Sequence, residues 1–413
     1  MSTRALADDP PASGHDHRTA VPAPRFAVLQ PAPVLLPSFT DARRLASRPL
    51  EHRPPGFDDQ FDAETLFYDA FPGPDGRIVL LGPAFLNLEP AIRSMTVRAR
   101  PSGAVCRFEV RAWNRHGQVL VEAPAGTVGL DLDLSFGAVS VPLSPSELDV
   151  FAGRRVIFTL SRNNRLAWIR DWLRFARDIH GAEAVLLYDN GSTAYAPQAL
   201  LEAISQVEGI AIGRVVSWPF RYGPQGLDAW RFWDSDFCQH GVLEHARRRF
   251  LAAAAAAQNG DIDEMVISRS GQSVFEAAAR DPFGTVRYGG RWVTVPAEQQ
   301  RDDREPTHRD HTLVLRRRPA RRFGILPADA HACPPKWTVV PSRIPDHVQW
   351  SVHALGRWLP ARRLSRRFGY RHFMNITDNW KYKRSGSGAA DPSRRYDPDE
   401  ELAGHLARVD WNR

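Results

Sequence analysis

Three carboxylates occupy four positions at Asp261, Asp263 and Glu264, within the segment QNGDIDEMVI (258–267). Six alanines precede the segment and Met-Val-Ile ends it. In an extended chain Asp261 and Asp263 project to one face, about 7 Å apart. Two carboxylates so spaced can share one hard divalent ion, Mg²⁺ or Mn²⁺, directly or through water. Carboxylates packed this tightly repel one another unless a cation or solvent relieves them. The segment is therefore either a solvated turn or a metal site with room for a diphosphate. A second D-x-D, Asp131 and Asp133 in GLDLDLSF (129–136), serves as an internal control. There Leu and Asp alternate strictly, so the aspartates form the wet face of an amphipathic strand.

Other carboxylate chemistries fail on spacing. No calcium-loop glycine and glutamate follow the pair. The position where a phosphatase-type D-x-D-x-[TV] needs Thr or Val holds Met265. H-E-x-x-H, G-x-S-x-G, G-x-G-x-x-G and G-x-x-x-x-G-K-[ST] are all missing.

The elements that must carry these residues change character along the chain. Residues 1–57 are rich in Pro, His and Asp without a sustained period and read as a disordered tail. Over 58–152 the period is two: Met95, Val97 and Ala99, then Cys106, Phe108, Val110 and Ala112, alternate with polar residues. This predicts half-buried antiparallel strands and a small all-β, sandwich-like module. From 153 to 385 strands alternate with helices. RVIFTL, AVLLYDN and IAIGRVVSW read as buried strands. Leu166, Ile169, Leu173, Ala176 and Ile179 form one helical stripe that Gly181 ends, and Pro197 starts a second helix. Strand and helix in alternation predict an α/β fold with a doubly wound parallel sheet, followed by a C-terminal tail at 386–413. In such sheets ligands bind beyond the carboxyl ends of the strands, where SRNN (161–164) and YDNGS (188–192) fall. Asp189 could accept hydrogen bonds from a nucleoside or close an Asx turn.

Composition narrows the class. The net charge of +7 comes almost wholly from arginine, with lysine only at 336, 381 and 383. Arg316–Arg318 with Arg321–Arg322, and Arg362–Arg363 with Arg366–Arg367, could meet a membrane surface or an anionic acceptor. No nucleic-acid motif accompanies them, so nucleic acid is not an expected partner. Cys106, Cys238 and Cys333 are few, odd in number and far apart, against a disulfide scaffold. With no apolar stretch near 18 residues and no signal-peptide core, a cytoplasmic protein is expected, peripheral at the membrane at most.

In order, SRNN, W-I-R-D-W (168–172), VLLYDNGS, Q-H-G-x-L-E-H-A-R (239–247) and DIDE resemble a GT-A glycosyltransferase. The order is similar to that of family 2-like and family 92-like bacterial glycosyltransferases. P-K-W-T-V-V-P (335–341), His353 and R-H-F-M-N-I (371–376) extend the resemblance over about 155–385. The resemblance implies a nucleotide-sugar donor, a UDP-sugar first, and a glycan or lipid-linked acceptor. It implies a Mn²⁺ or Mg²⁺ ion held by Asp261, Asp263 and a late histidine, His372 ahead of His353. Glu264 would stand just behind the ion. Arg162, Asn163, Asp189, Asn190, Gln239, Arg247 and Lys336 would line the donor site. Two departures stand out. The alanines at 252–257 favour helix, so the strand leading into the motif must be very short or missing. Met265 replaces the usual Phe or Leu. The catalytic base is not identified among Asp310, His308 and Glu276. Two other classes fit part of the pattern: a catalytically inactive carbohydrate- or surface-binding protein, and a nucleotidyltransferase.

Overall fold

The computed structural model describes residues 23–224, 231–299, 304–322, 326–376, 390–391 and 393–413. Its centre is a large mixed α/β sheet of eleven strands. In chain order these are β1 (Phe26–Leu29), β2 (Arg155–Ser161), β3 (Ala184–Asp189), β4 (Ile212–Ser217), β5 (Ala256–Asn259), β6 (Glu264–Ser268), β7 (Thr285–Thr294), β8 (Leu313–Leu315), β9 (Ala332–Val339), β10 (Phe368–Phe373) and β11 (Tyr396–Pro398). The order across the sheet is β1-β4-β3-β2-β5-β9-β7-β8-β11, and β10 pairs with β7 and β6 off this path. Strands β1 to β5 are mutually parallel, and β9 turns the sheet antiparallel.

The parallel strands are apolar because both faces are covered. Helix α1 (Leu166–His180) buries Ile169, Leu173, Ala176 and Ile179 as its stripe predicts, and adds Trp168, Trp172 and Phe175. Gly181 ends α1 at φ 72°, where a Cβ would meet Arg155 at 2.9 Å. Pro197 starts α2 (Pro197–Ser205). The chain runs β2, β3, β4 in one direction across the sheet, then returns to place β5 on the other side of β2. That reversal makes the carboxyl ends of β2 and β5 the topological switch point, and DIDE follows β5 directly. The alanine run ends in a four-residue strand, as short as its composition demands.

The 58–152 region forms two antiparallel sheets, and its strand Thr65–Phe67 pairs antiparallel with Val34–Leu35. One holds Asp69–Pro72, Ile78–Pro83, His116–Glu122 and Arg107–Ala112, and the other Thr96–Arg100, Gly129–Leu134 and Gly137–Pro142. The predicted alternation holds at Val97 and Ala99, whereas Ala112 is exposed. The strands Ile78–Pro83 and His116–Glu122 of the four-stranded sheet are buried on both faces, whereas Arg107–Ala112 is not. Ile78, Leu80, Val119 and Val121 face the three-stranded sheet, while Val79, Leu81 and Leu120 join the core beneath α3 (Phe237–His245). A buried chain ties the parts together: Asp69 bonds His245 (2.9 Å) and Arg249 (2.8 Å), and His245 bonds Tyr188 (2.9 Å).

Both predicted tails need correction, apart from residues 1–22, 386–389 and 392, which lie outside the described residues. Phe26–Leu29 adds a parallel edge strand to the main sheet. Arg44 is buried and donates to the carbonyls of Ala84, Asp62 and Thr65, and Arg48 makes a bidentate pair with Asp234 at 2.7 and 2.9 Å. The segment is held by buried guanidinium groups rather than a periodic apolar face, so composition did not reveal it. At the other end Leu402, Leu406 and Val409 join the main core, and Arg371 pairs with Asp399.

Leu130, Leu132 and Leu134 are buried, while Asp131 and Asp133 point outward and Asp131 meets Arg100 at 3.3 Å. Exposed pairs contribute about 0–1 kcal/mol. Changing both aspartates to Asn is expected to leave metal affinity unaltered in calorimetry and to move Tm by no more than about 2 °C.

Acid should act through buried histidines. Burial holds His116, His180, His245 and His311 at about 4, below their ordinary 6.5. Above pH 6.5 both folded and unfolded chains carry these rings neutral, so they do not tilt the equilibrium. Below 6.5 the unfolded chain takes up protons that the folded chain refuses until about pH 4. Stability therefore falls with pH by about 1.4 kcal/mol per unit for each such ring. The urea midpoint should drop steeply between pH 6.5 and 4.5, and a flat profile there would contradict the buried neutral rings.

Candidate functional site

DIDE is not extended. Ile262 and Asp263 form a tight turn between β5 and β6, in which the Glu264 amide donates to the Asp261 carbonyl (3.0 Å). The Asp261 amide donates back to the Glu264 carboxylate (3.1 Å). The turn corrects the two-residue, same-face argument. The carboxylates gather because the chain reverses, not because a strand alternates.

Sheet register brings the remaining groups in. Across β6 and β10, Glu264 lies opposite His372, and across β10 and β7, His372 lies opposite Trp292. The His372 ring stacks on Trp292 with centroids 4.0 Å apart. Its Nε2 bonds the Asp263 carboxylate at 3.0 Å, and its Nδ1 stands 3.7 Å from Glu264. Across β7 and β9, Tyr288 lies opposite Lys336, whose buried Nζ bonds Asp261 and Glu264 at 2.9 Å each. Burial pulls the Lys336 ammonium toward losing its proton, but the two carboxylates outweigh it and hold it above its ordinary value. Burial pushes the Glu264 carboxyl up, Lys336 counters, and Asp261 adds to the rise. With all three acids ionised and His372 neutral, as ligation requires, the cluster carries two net negative charges. Two carboxylates and an imidazole are also a donor set that manganese accepts. Charge and donors thus fit one divalent cation.

This cluster forms one wall of a pocket of about 650 Å³. Asp261, Asp263, Glu264 and His372 line it, as do Gln239, His240 and His353. Asp261, Asp263, Glu264, His372 and Gln239, named from the sequence for the ion and the donor, thus line one cavity. Gln239 accepts a hydrogen bond from Tyr222 (2.5 Å). Burial and the nearby Arg115 hold His240 well below its ordinary value.

The other expected donor-site residues stand apart from the lining. Asp189 accepts from the hydroxyl and the amide of Ser192, the Asx-turn arrangement, and burial raises its carboxyl. Asn190 donates to the carbonyls of Trp218 (2.8 Å) and Phe220 (2.9 Å). Asn163 adopts φ 55° and accepts from the amides of Thr193 and Ala194, joining the loops after β2 and β3. Arg162 sits in the field of Asp189. Arg247 is buried and donates to the carbonyls of Val348, Ile344 and Pro345. Its guanidinium is spent on these carbonyls, so Arg247 does not reach the pocket that Gln239 lines. Lys336 lies beneath the carboxylates instead of lining the cavity.

None of the three bases considered from sequence reaches the pocket lining. His308 is buried against the Ile262 carbonyl (2.9 Å), Asp310 caps Thr307 and pairs with Arg304, and Glu276 pairs with Arg280. Sequence reasoning missed Asp236, Trp292, Arg115 and Tyr222, all of which line it. Asp236 was findable: WDSDFCQH holds a third D-x-D, three residues before Gln239. Its first member, Asp234, is spent on Arg48, whereas Asp236 takes φ 61° and faces the cavity. No protein-family model matches the chain, and no curated protein does.

Proposed function

We propose that the chain is a metal-dependent glycosyltransferase with a GT-A domain, and that the N-terminal sheets form an all-β domain backing α3. The observation that carries the reading is the joining of Asp261, Asp263 and His372 on one pocket wall at the strand-order switch point. The reversal between β2 and β5, with DIDE directly after β5, supports the same fold.

Asp261, Asp263 and His372 would hold Mn²⁺ or Mg²⁺. When bound, the divalent ion neutralises the charge that develops on the leaving diphosphate. Lys336 holds the Asp261 and Glu264 carboxylates in place, and Trp292 holds the His372 ring in plane for its bond to Asp263. The carboxylates lining the pocket are Asp236 and the three of DIDE. With the latter committed to Lys336 and the ion, Asp236 takes the proton of the acceptor hydroxyl. That oxygen bonds the anomeric carbon as the bond to the diphosphate oxygen breaks. The donor would be a UDP-sugar and the acceptor a glycan or a lipid-linked sugar, as the resemblance of the motif order implies.

The test is a panel of nucleotide sugars incubated with purified protein, with Mn²⁺ or with chelator. Release of nucleoside diphosphate that needs the metal is expected. No turnover of any donor, with UDP and Mn²⁺ still binding in calorimetry, would reduce the protein to an inactive binding module.

A further inference from the structure

We infer that residues 357–367, with Phe283, form a docking surface for an anionic lipid bilayer, a property beyond the proposed reaction. The segment reads RWLPARRLSRR: five arginines in eleven residues and no acid. Arg357, Arg362, Arg363, Arg366 and Arg367 are all exposed. Among the described residues none of their side chains makes an ion pair. The nearby acids are already engaged: Glu276 by Arg280, Glu401 by Arg269, and Asp281 by the amides of Phe283 and Thr285.

Large apolar side chains stand among these charges. Leu359 is 70% exposed, Leu364 46% and Phe283 51%. Phe283 packs edge-on against Trp358 at 6.2 Å, which joins the apolar groups into one patch. The strip is anchored from behind. Arg287 donates to the Arg362 carbonyl, Arg269 to the Arg366 carbonyl, and the Ser365 amide to the Arg287 carbonyl. An apolar cavity of about 650 Å³ opens beside it, walled by Trp113, Val348, Trp358, Leu359 and Pro360. The hairpin of Trp350–Ser351 and Ala354–Leu355 links this cavity to the first pocket, since Ser351 and Ala354 line that pocket. No helix among the described residues is long and apolar enough to cross a membrane.

Unopposed arginines with apolar groups between them match a surface with anionic headgroups over an acyl interior, where aromatic and leucine side chains settle at the boundary. A free phosphate or a nucleic acid would satisfy the arginines but not Leu359, Leu364 and Phe283. Docking here would bring a headgroup-linked acceptor beside the first pocket.

The experiment is co-sedimentation of the full chain with vesicles of phosphatidylcholine alone or with 30% phosphatidylglycerol (a working composition, about one anionic lipid in three), at low and high salt. Pelleting with the anionic vesicles at low salt, reversed by high salt, is expected. Arg362→Gln/Arg363→Gln/Arg366→Gln/Arg367→Gln should weaken it at least about ten-fold. Leu359→Ser should weaken it while keeping the salt dependence. UDP and Mn²⁺ binding should be unchanged in both variants, which controls for folding. Equal pelleting with neutral vesicles, wild-type pelleting by the arginine variant, or negligible pelleting throughout would each overturn the inference. So would an excess of inorganic phosphate or an oligonucleotide that displaces the protein at matched ionic strength while Leu359→Ser binds normally.

Discussion

Asp263→Ala is expected to abolish Mn²⁺-dependent UDP binding while leaving the fold in place. Three carboxylates and one ammonium make the cluster a site of two net negative charges, and the substitution removes one of them. Asp263 is also the partner that orients His372, so the change removes one ligand and loosens another. Losing one ligand and loosening another should weaken metal affinity by at least about 100-fold, since loss of one orienting partner alone typically costs 10–100-fold. The fold should tolerate the change. Asp263 sits in a turn on the pocket wall, Lys336 stays paired with Asp261 and Glu264, and one like-charge repulsion disappears. Although Asp263 is buried, Tm should therefore shift by only about 2–4 °C. Asp263→Asn refines the test: the amide oxygen can still accept from His372, but the charge is gone. If binding needs the charge, the Asn variant fails nearly as badly as the Ala variant. Normal calorimetric binding of UDP and Mn²⁺ by Asp263→Ala would remove the site.

How much of this was legible before the structure depends on the range of the signal. The buried strands β2 to β4, the stripe on α1 and its end at Gly181 rest on local periodicity and chain geometry, and all were legible. So was the wet face at Asp131 and Asp133, because the leucines that decide it alternate with the aspartates themselves. What failed was decided by contacts far along the chain. Residues 23–57 carry no period, and Arg44 and Arg48 hold them through partners 18 to 186 positions away. Arg247 was expected in the donor site, but its guanidinium is spent on the carbonyls of Val348, Ile344 and Pro345, about 100 positions along the chain. The grouping of Asp261, Asp263 and His372 was expected from motif order, but the reason offered, same-face spacing in a strand, was not the one at work. Register across β6, β10, β7 and β9 assembles Glu264, His372, Trp292 and Lys336, and no local pattern encodes it.

Asp236→Asn should lower kcat by about 10²- to 10⁴-fold, the usual contribution of a positioned acid or base, with little effect on donor KM. Asp236 lines the pocket that holds the metal-binding carboxylates, yet it lies on the helix side of the cavity, at the start of α3. Its backbone is fixed in the left-handed region at φ 61°, with the amide bonded to the Tyr222 carbonyl (3.1 Å) and its carbonyl accepting from His240 (3.0 Å). A non-glycine residue held at such a φ persists only when its surroundings impose it, and such residues cluster at functional sites. Arg115 stands 3.6 Å from the Asp236 carboxylate. Asparagine keeps the size, tolerates the same φ and leaves both backbone bonds available, so the variant isolates the proton acceptor from the scaffold. UDP and Mn²⁺ binding should survive, because neither the Lys336 cluster nor His372 is touched. A fall in kcat with intact donor binding separates a base from a binding residue, whereas loss of both would mark Asp236 as part of the donor site. A variant that keeps kcat within about three-fold of the parent would exclude Asp236 as the base, since even a weak general base contributes about 100-fold.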